Sequence, residues 1–262
     1  MLSYQHAYHA GNLADLQKHA LLAWMLDYLT RKDKPLSYLE THAGRGLYDL
    51  GSAEARKTGE AEKGVLALEA RLPADHPYRK ALARVRAVHG ATAYPGSPLI
   101  AATLLRPADR LSLAELHPQE HAALVQAMAG RTVTIRKQDG FEMASSLCPP
   151  EPRRGLLLID PSWEVKEDYA SVPGVLDGIA KKWNVGILCL WYPILTSDLH
   201  APMLERLEAA HPDALRHEIR FPPIRDGHRM IGTGMFVINP PWGLEEEARR
   251  LSDRLRGGTK KP

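Results

Sequence analysis

The segment Gly155-Leu156-Leu157-Leu158-Ile159 carries no polar side chain and stops at Asp160-Pro161. A strand with one wet face alternates apolar and polar residues, so a run without alternation demands cover on both faces. Related runs occur at 111–116 (LSLAEL), 132–137 (TVTIRK), 185–192 (VGILCLWY), 215–221 (LRHEIRF) and 234–240 (GMFVINP), and an earlier one starts at Leu36 (LSYLETHAGRG). Helix-forming stretches at 117–129, 169–183 and 197–210 separate most of them. This alternation predicts an α/β fold, a seven-stranded sheet with helices on both faces. Ligands of such sheets bind beyond the carboxyl ends of the strands, so the residues just after each run are the ones to weigh for chemistry.

Composition narrows the class. The 262 residues include 34 basic and 31 acidic side chains, a formal charge of +3, with 44% hydrophobic and 25% charged residues. No apolar run approaches the roughly 18 residues of a membrane span, so a globular protein without a membrane partner is expected. Met1 to Asn12 lacks the basic, apolar and small-residue regions of a secretory signal, which makes a cytoplasmic location the expectation. Cys148 and Cys189 are too few for a disulfide framework and are expected to be buried thiols. Basic residues gather at Arg31, Lys32 and Lys34, at Arg153 and Arg154, and at Arg249, Arg250, Arg254 and Arg256. Each cluster taken alone reads as solvated surface.

The stretch Asn12–Leu29 predicts a helix, because Leu13, Leu16, Ala20, Trp24 and Met25 recur near the 3.6-residue period, with Asn12 as its cap and Asp15 three residues on. Residues 47–94 are rich in Ala, Leu, Glu, Lys and Arg and predict a helical insert between two parts of a main domain, 1–46 and 95–256. Ser97 and Pro98 read as the cap and first residue of a further helix, and 257–262 (GGTKKP) reads as a flexible tail.

The strand ends then outline a ligand. After the first run, Gly44 and Gly46 allow a tight turn and close approach of backbone amides, but Asp49 stands where a dinucleotide fingerprint needs its third glycine. Glu115 can accept two hydrogen bonds from adjacent ribose hydroxyls, or can simply open the next helix; Asp139-Gly140 suits an adenine edge or a plain turn. At the end of 155–160, Asp160 and the Pro161 carbonyl can accept the two hydrogens of a planar amine while Trp163 stacks on its ring.

With these residues in place, the sequence resembles the class I S-adenosylmethionine-dependent methyltransferases, specifically the bacterial 23S ribosomal RNA adenine-N6 methyltransferases of the large subunit. The matching blocks are MLSYQHAYHAGNLADLQKH, YLETHAGRGLYDLGS, YPGSPLIA, LAELHP, KQDGF, RRGLLLIDPSWEVKEDY, LWYP and GTGMFVINPPW, in order over about residues 1 to 242. The resemblance implies a Rossmann-like fold with an inserted helical subdomain. It implies cofactor contacts at His19, His42, Ser97, Glu115, Asp139 and Gly140, to which the turn reading adds Gly44, catalysis at Asp160, to which the amine-holding reading adds Pro161 and Trp163, and an RNA contact at Tyr4. S-adenosyl-L-methionine is then the cofactor, S-adenosyl-L-homocysteine the product, and 23S rRNA or a pre-ribosomal assembly intermediate the partner of a chain whose default expectation is a monomer. The family turn is DPPY where this chain has DPSW, so Ser162 and Trp163 alter its stiffness and the ring it offers.

Lys18 joins Tyr4, His6 and His9 as a candidate RNA contact if the N-terminal segment folds over the site, and Arg225 and Arg229 in the Pro- and Gly-rich stretch 221–234 are candidates for phosphate. No metal site is expected, since the histidines lack Cys pairs or HExxH spacing. Cysteine nucleophilic chemistry is disfavoured, as Cys148 precedes Pro149 and Cys189 sits in an apolar run. His217, between Leu215 and Ile219, is expected to face solvent. Rival readings are an amino-group methyltransferase for DNA adenine or a protein amide, and a noncatalytic RNA-binding module.

Overall fold

The computed structural model describes residues 5–222 and 229–256. Its strands are β1 (Ser37–Glu40), β2 (Leu47–Asp49), β3 (Ala93–Pro95), β4 (Arg110–Ala114), β5 (Thr134–Arg136), β6 (Gly155–Ile159), β7 (Ile187–Leu195), β8 (Leu215–Arg220) and β9 (Met230–Ile238). The helices are α1 (Leu13–Thr30), α2 (Ala53–Thr58), α3 (Glu60–Lys63), α4 (Val65–Leu68), α5 (Pro77–His89), α6 (Ser97–Leu104), α7 (Pro118–Ala127), α8 (Gly140–Leu147), α9 (Asp168–Lys182), α10 (His200–Ala210) and α11 (Leu244–Arg256).

Seven strands form one sheet in the order β5-β4-β1-β6-β7-β9-β8. The first five in that order pair in parallel, whereas β9 runs antiparallel to both β7 and β8. The unbroken apolar run in β6 is explained by its position. Leu156 and Leu158 pack into the core shared with α1, α6 and α11, and Leu157 and Ile159 into the core shared with α8, α9 and α10. Each side chain buried in this way contributes about 1.5–3 kcal/mol, so β6 alone anchors both layers. Among the described residues no helix is long and apolar enough to cross a membrane, and both cysteines are buried thiols.

Helix α1 departs from a simple amphipathic element. Asn12 caps it as the sequence suggests, its side chain accepting from the Asp15 amide at 2.9 Å, and Asp15 reaches back to the Gly11 amide at 2.9 Å. Yet Asp15, Gln17, Lys18 and His19 are buried along with the apolar stripe, because α5, α6, α11 and β9 surround the helix. The segment between β2 and β3 carries α2 to α5, and the antiparallel pairing of those two short strands closes it. It docks on the start of α1 through the Val65 amide, which donates to the Gly11 carbonyl at 2.7 Å.

Two expectations require correction. Gly96, not Ser97, caps α6; Ser97 is its first residue and turns its hydroxyl to Glu40. His217 does not face solvent: its ring lies between the Gln17 amide at 2.9 Å and the Ser252 hydroxyl at 2.7 Å, because α1 and α11 cover that face of β8. Burial holds it neutral, with a pKa lowered to about 4.

Candidate active site

The strand order reverses between β1 and β6, the place where doubly wound sheets open a crevice. A cavity of about 650 Å³ lies there, within the range of small-molecule sites. Its lining includes Lys18, His19, His42, Gly44, Ser97, Glu115, Asp139, Gly140, Asp160, Pro161 and Trp163. Tyr4 and Arg225 lie outside the described residues. Arg229 is exposed just before β9, with its carbonyl accepting from the Thr196 amide at 2.9 Å, and is not among the lining residues.

The turn after β1 is shaped by Gly44, whose φ of 61° suits a residue without a Cβ. Its amide donates to Glu115 Oε2 at 2.8 Å, and the His117 amide donates to Oε1 at 2.8 Å. Burial raises the Glu115 pKa, and these two amides offset only part of that rise. Each carboxylate oxygen keeps lone pairs for a further donor from the cavity. On the other wall, Asp139 caps α8 by accepting from the Glu142 amide at 2.9 Å. Gly140 lies so close to the β1 turn that a Cβ would stand 1.9 Å from the Thr41 carbonyl oxygen. The turn and helix can therefore meet only over a bare backbone.

Asp160 emerges from β6 into this space. Lys18 Nζ donates to its Oδ2 at 2.6 Å and lies 3.2 Å from Asp15 Oδ1; among the described residues Oδ1 of Asp160 has no hydrogen-bond donor. Burial works against the Lys18 charge, but the Asp160 and Asp15 carboxylates outweigh it and the pKa is raised. Burial likewise pushes the Asp15 carboxyl up, and His6, Lys18 and His19 outweigh that effect, leaving it well below the ordinary range. Lys18 also lies 5.3 Å from the centre of the Trp191 ring.

Two histidines of the cavity, His19 and His42, are neutral supports. His19 pairs its Nδ1 with the Tyr94 hydroxyl at 2.9 Å, and burial lowers its pKa to about 3. His42 contacts Thr41 at 2.7 Å and meets the Phe141 ring edge-on at 5.0 Å, with burial lowering its pKa to about 4. Trp163 adopts a φ of 59°; its indole packs on Tyr169 with ring centroids 4.5 Å apart and donates from Nε1 to the Trp191 carbonyl at 3.2 Å. This bond ties the DPSW turn to β7 and offsets part of the stiffness lost with the missing proline.

Asp15, Glu40 and Trp191 escaped the sequence reading. Asp15, Lys18 and His19 stand at i, i+3 and i+4, a spacing that places them on one helical face and could have exposed the trio. Nothing in the sequence pattern of the apolar run Ile187–Leu195 singles out Trp191. One further turn misleads by composition: Asn239-Pro240-Pro241-Trp242 looks nearer to an Asp/Asn-Pro-Pro-aromatic motif than DPSW does. It follows the antiparallel β9, however, and so lies at the other end of the sheet. There Asn239 Nδ2 donates to the Asn184 and Gly186 carbonyls at 3.1 and 2.8 Å.

This strand order, with its single reversed strand and its cavity at the β1/β6 switch, is that of the class I methyltransferases. A family model described as ribosomal RNA large subunit methyltransferase D, RlmJ, matches residues 33–259. The chain is 42% identical over 257 residues to the ribosomal RNA large subunit methyltransferase J of Escherichia coli, covering 96% of this chain and 91% of that one. It is 39% identical over 259 residues to the protein of the same name from Haemophilus influenzae, covering 96% and 92%. A crystal structure of a Legionella pneumophila protein superposes with a TM-score of 0.85 at 35% identity, covering 96% of each chain. The chain belongs to this ribosomal RNA large subunit methyltransferase family.

Proposed function

We propose that the chain methylates the exocyclic N6 of an adenine in 23S rRNA, naked or partly assembled, with S-adenosyl-L-methionine as donor. One observation carries the reading: Asp160 stands at the switch point with one oxygen tied to a buried ammonium and the other without a donor among the described residues, in the same cavity as Glu115 and Asp139. The residues fit the cofactor. Glu115 offers lone pairs for ribose hydroxyls, the bare backbone at Gly140 lets a flat ring approach beside Asp139, and neutral His19 and His42 add no charge to repel a sulfonium. S-adenosyl-L-methionine supplies a methyl group on positively charged sulfur, and S-adenosyl-L-homocysteine is left behind.

The chain's own part is positioning. Asp160 Oδ1 and the Pro161 carbonyl hold the two amino hydrogens of the adenine, so that nitrogen lone-pair density, otherwise delocalised into the ring, points out of plane. Trp163 stands against the base, fixed by Tyr169 and Trp191. Lys18 keeps the Asp160 carboxylate from rotating, and Asp160 accepts the proton released when the nitrogen has gained its methyl group. A hydrogen bond to a charged group is worth about 1.5–3 kcal/mol, one or two decades in rate when it strengthens in the transition state. Alignment of the two reactants supplies most of the remainder.

Labelled methyl transfer to naked 23S rRNA, assembly intermediates, duplex DNA and protein, followed by mapping of the modified atom, tests the reading. Transfer to adenine N6 in rRNA is expected; transfer to DNA or to an amide alone would replace the substrate assignment, and RNA binding without transfer would leave only a binding module. Asp160→Asn is expected to lower turnover at least a hundredfold with cofactor affinity retained, because Asn offers the amine one neutral acceptor in place of a carboxylate.

A further inference from the structure

The most exposed large apolar side chain among the described residues lies far from the cavity. Trp242 is 86% exposed, on a turn that is anything but loose. Pro240 and Pro241 fix the backbone, Asn239 is pinned to two carbonyls of the 184–186 loop, and the Leu244 amide closes the turn on the Pro241 carbonyl at 3.0 Å. Gly243 seats it against Trp24, which stacks on Tyr28 at 5.7 Å. Such an indole is held ready at the surface.

Beyond the acidic first turn of α11 (Glu245 to Glu247) and the exposed Asp33 and Glu151, the loops at this end carry several cations. Asn184, gripped by Asn239, is also reached by Arg153 at 3.4 Å. Exposed Lys181 and Lys182 lie just before this loop, and Lys32 and Lys34 stand in the turn between α1 and β1. That turn is ordered from below, since Arg106 and Arg154 donate to the Lys34 carbonyl at 2.8 and 3.0 Å. Lys32, Lys34, Arg153, Lys181 and Lys182 have no carboxylate partner among the described residues. All of them sit at the amino ends of the parallel strands or close to them, the end of the sheet away from Asp160.

We propose that this end is a second RNA contact, where Trp242 stacks on an unpaired base and Lys32, Lys34, Arg153, Lys181 and Lys182 hold the flanking phosphates. The claim rests on the rRNA reading above and extends it to a surface outside the catalytic cavity. A flat exposed ring at the same end of the sheet as five cations without carboxylate partners among the described residues matches the chemistry of single-stranded RNA, in which stacking and phosphate neutralisation go together. The core of a protein interface, by contrast, is depleted in lysine. The contact is separated from Asp160 by at least the length of β6, about 17 Å, so a short oligonucleotide filling the cavity does not reach it.

Binding of fluorescently labelled RNA to the full chain tests this without requiring turnover. The wild type, Trp242→Ala, and the triple variant Lys34→Ala/Arg153→Ala/Lys182→Ala are compared on an adenine-containing trinucleotide and on rRNA fragments of increasing length. For the long fragments Trp242→Ala is expected to weaken binding about tenfold, the size of one base stack. The triple variant is expected to lower the slope of log affinity against log salt by about 2. Neither should change trinucleotide binding or methyl transfer to it. Equal binding of long rRNA by wild type and variants overturns this proposal and leaves the proposed function standing. A wild type that binds no RNA overturns both. Variants that bind naked rRNA normally but lose affinity gained in the presence of ribosomal proteins would reassign the surface to a protein and overturn the RNA contact.

Discussion

Lys18 is the residue on which most of the site's electrostatics turn. Two carboxylates, Asp15 and Asp160, converge on one ammonium that is 5% exposed. Removing it leaves two buried or half-buried acids facing each other, a change that costs about 3–5 kcal/mol in comparable pairs. Lys18→Ala is therefore expected to cut single-turnover methyl transfer about a hundredfold or more and to lower the melting temperature, while calorimetry shows cofactor affinity within a few-fold of wild type. Glu40 supplies a second residue-scale prediction. It is fully buried at the end of β1, takes hydrogen bonds from Tyr38 and Ser97, and is pushed by burial to a pKa of about 8 against an ordinary 4.5. Because the folded state holds this proton and the unfolded state releases it, the group's contribution is present below about pH 4.5, declines through the interval and is lost above about pH 8. Glu40→Gln has no such proton, so the melting temperature of the variant relative to wild type should rise steadily from pH 5 to pH 8. The sequence exposed Asp160 and Glu115 because an acid at the end of an apolar run is conspicuous, and Asp139 through its Asp-Gly turn. It hid Asp15 and Glu40 because their environment is made by elements distant in the chain.

At the scale of elements, the seven strands and their alternation with helices were legible because central strands buried on both faces leave unbroken apolar runs, while the edge strands β5 and β8 leave alternating ones. The short β2–β3 pair was not, since three-residue strands carry too little pattern. Nor was the burial of α1 on every side, which depends on α5, α6 and α11 closing around it. His217 was misread for a different reason: positions 215, 217 and 219 share one face of β8, so strand alternation itself groups His217 with Leu215 and Ile219 on the side that α1 and α11 cover. The contact between α8 and the β1 turn gives a sharp test. Gly140→Ala would place a methyl group against the Thr41 carbonyl, and backbone on both sides leaves no flexible atom to yield. We expect a loss of several degrees in melting temperature and at least tenfold weaker cofactor binding, measured by calorimetry; a variant matching wild type in both would show that turn and helix are free to part.

The molecule as a whole ties the start of its chain to its chemistry. Residues 47–94 do not line most of the cavity, yet they clamp α1 through Val65 on Gly11 and through Glu60, which meets His9 at 2.8 Å and Asn12 at 3.1 Å. Excising α2 to α5 and joining β2 to β3 by a short turn is expected to release the amino end of α1, so that amide exchange around Lys18 quickens and transfer is lost although the seven-stranded sheet persists by circular dichroism. The direction of β9 has a different consequence. One strand running against its neighbours carries an aromatic, proline-stiffened turn to the far rim, while its counterpart after β6 stays at the near one. A polynucleotide touching both would be measured as by a ruler whose length is the depth of the sheet, and only an adenine at the matching spacing along a folded RNA would arrive at Asp160 with its distant base already seated.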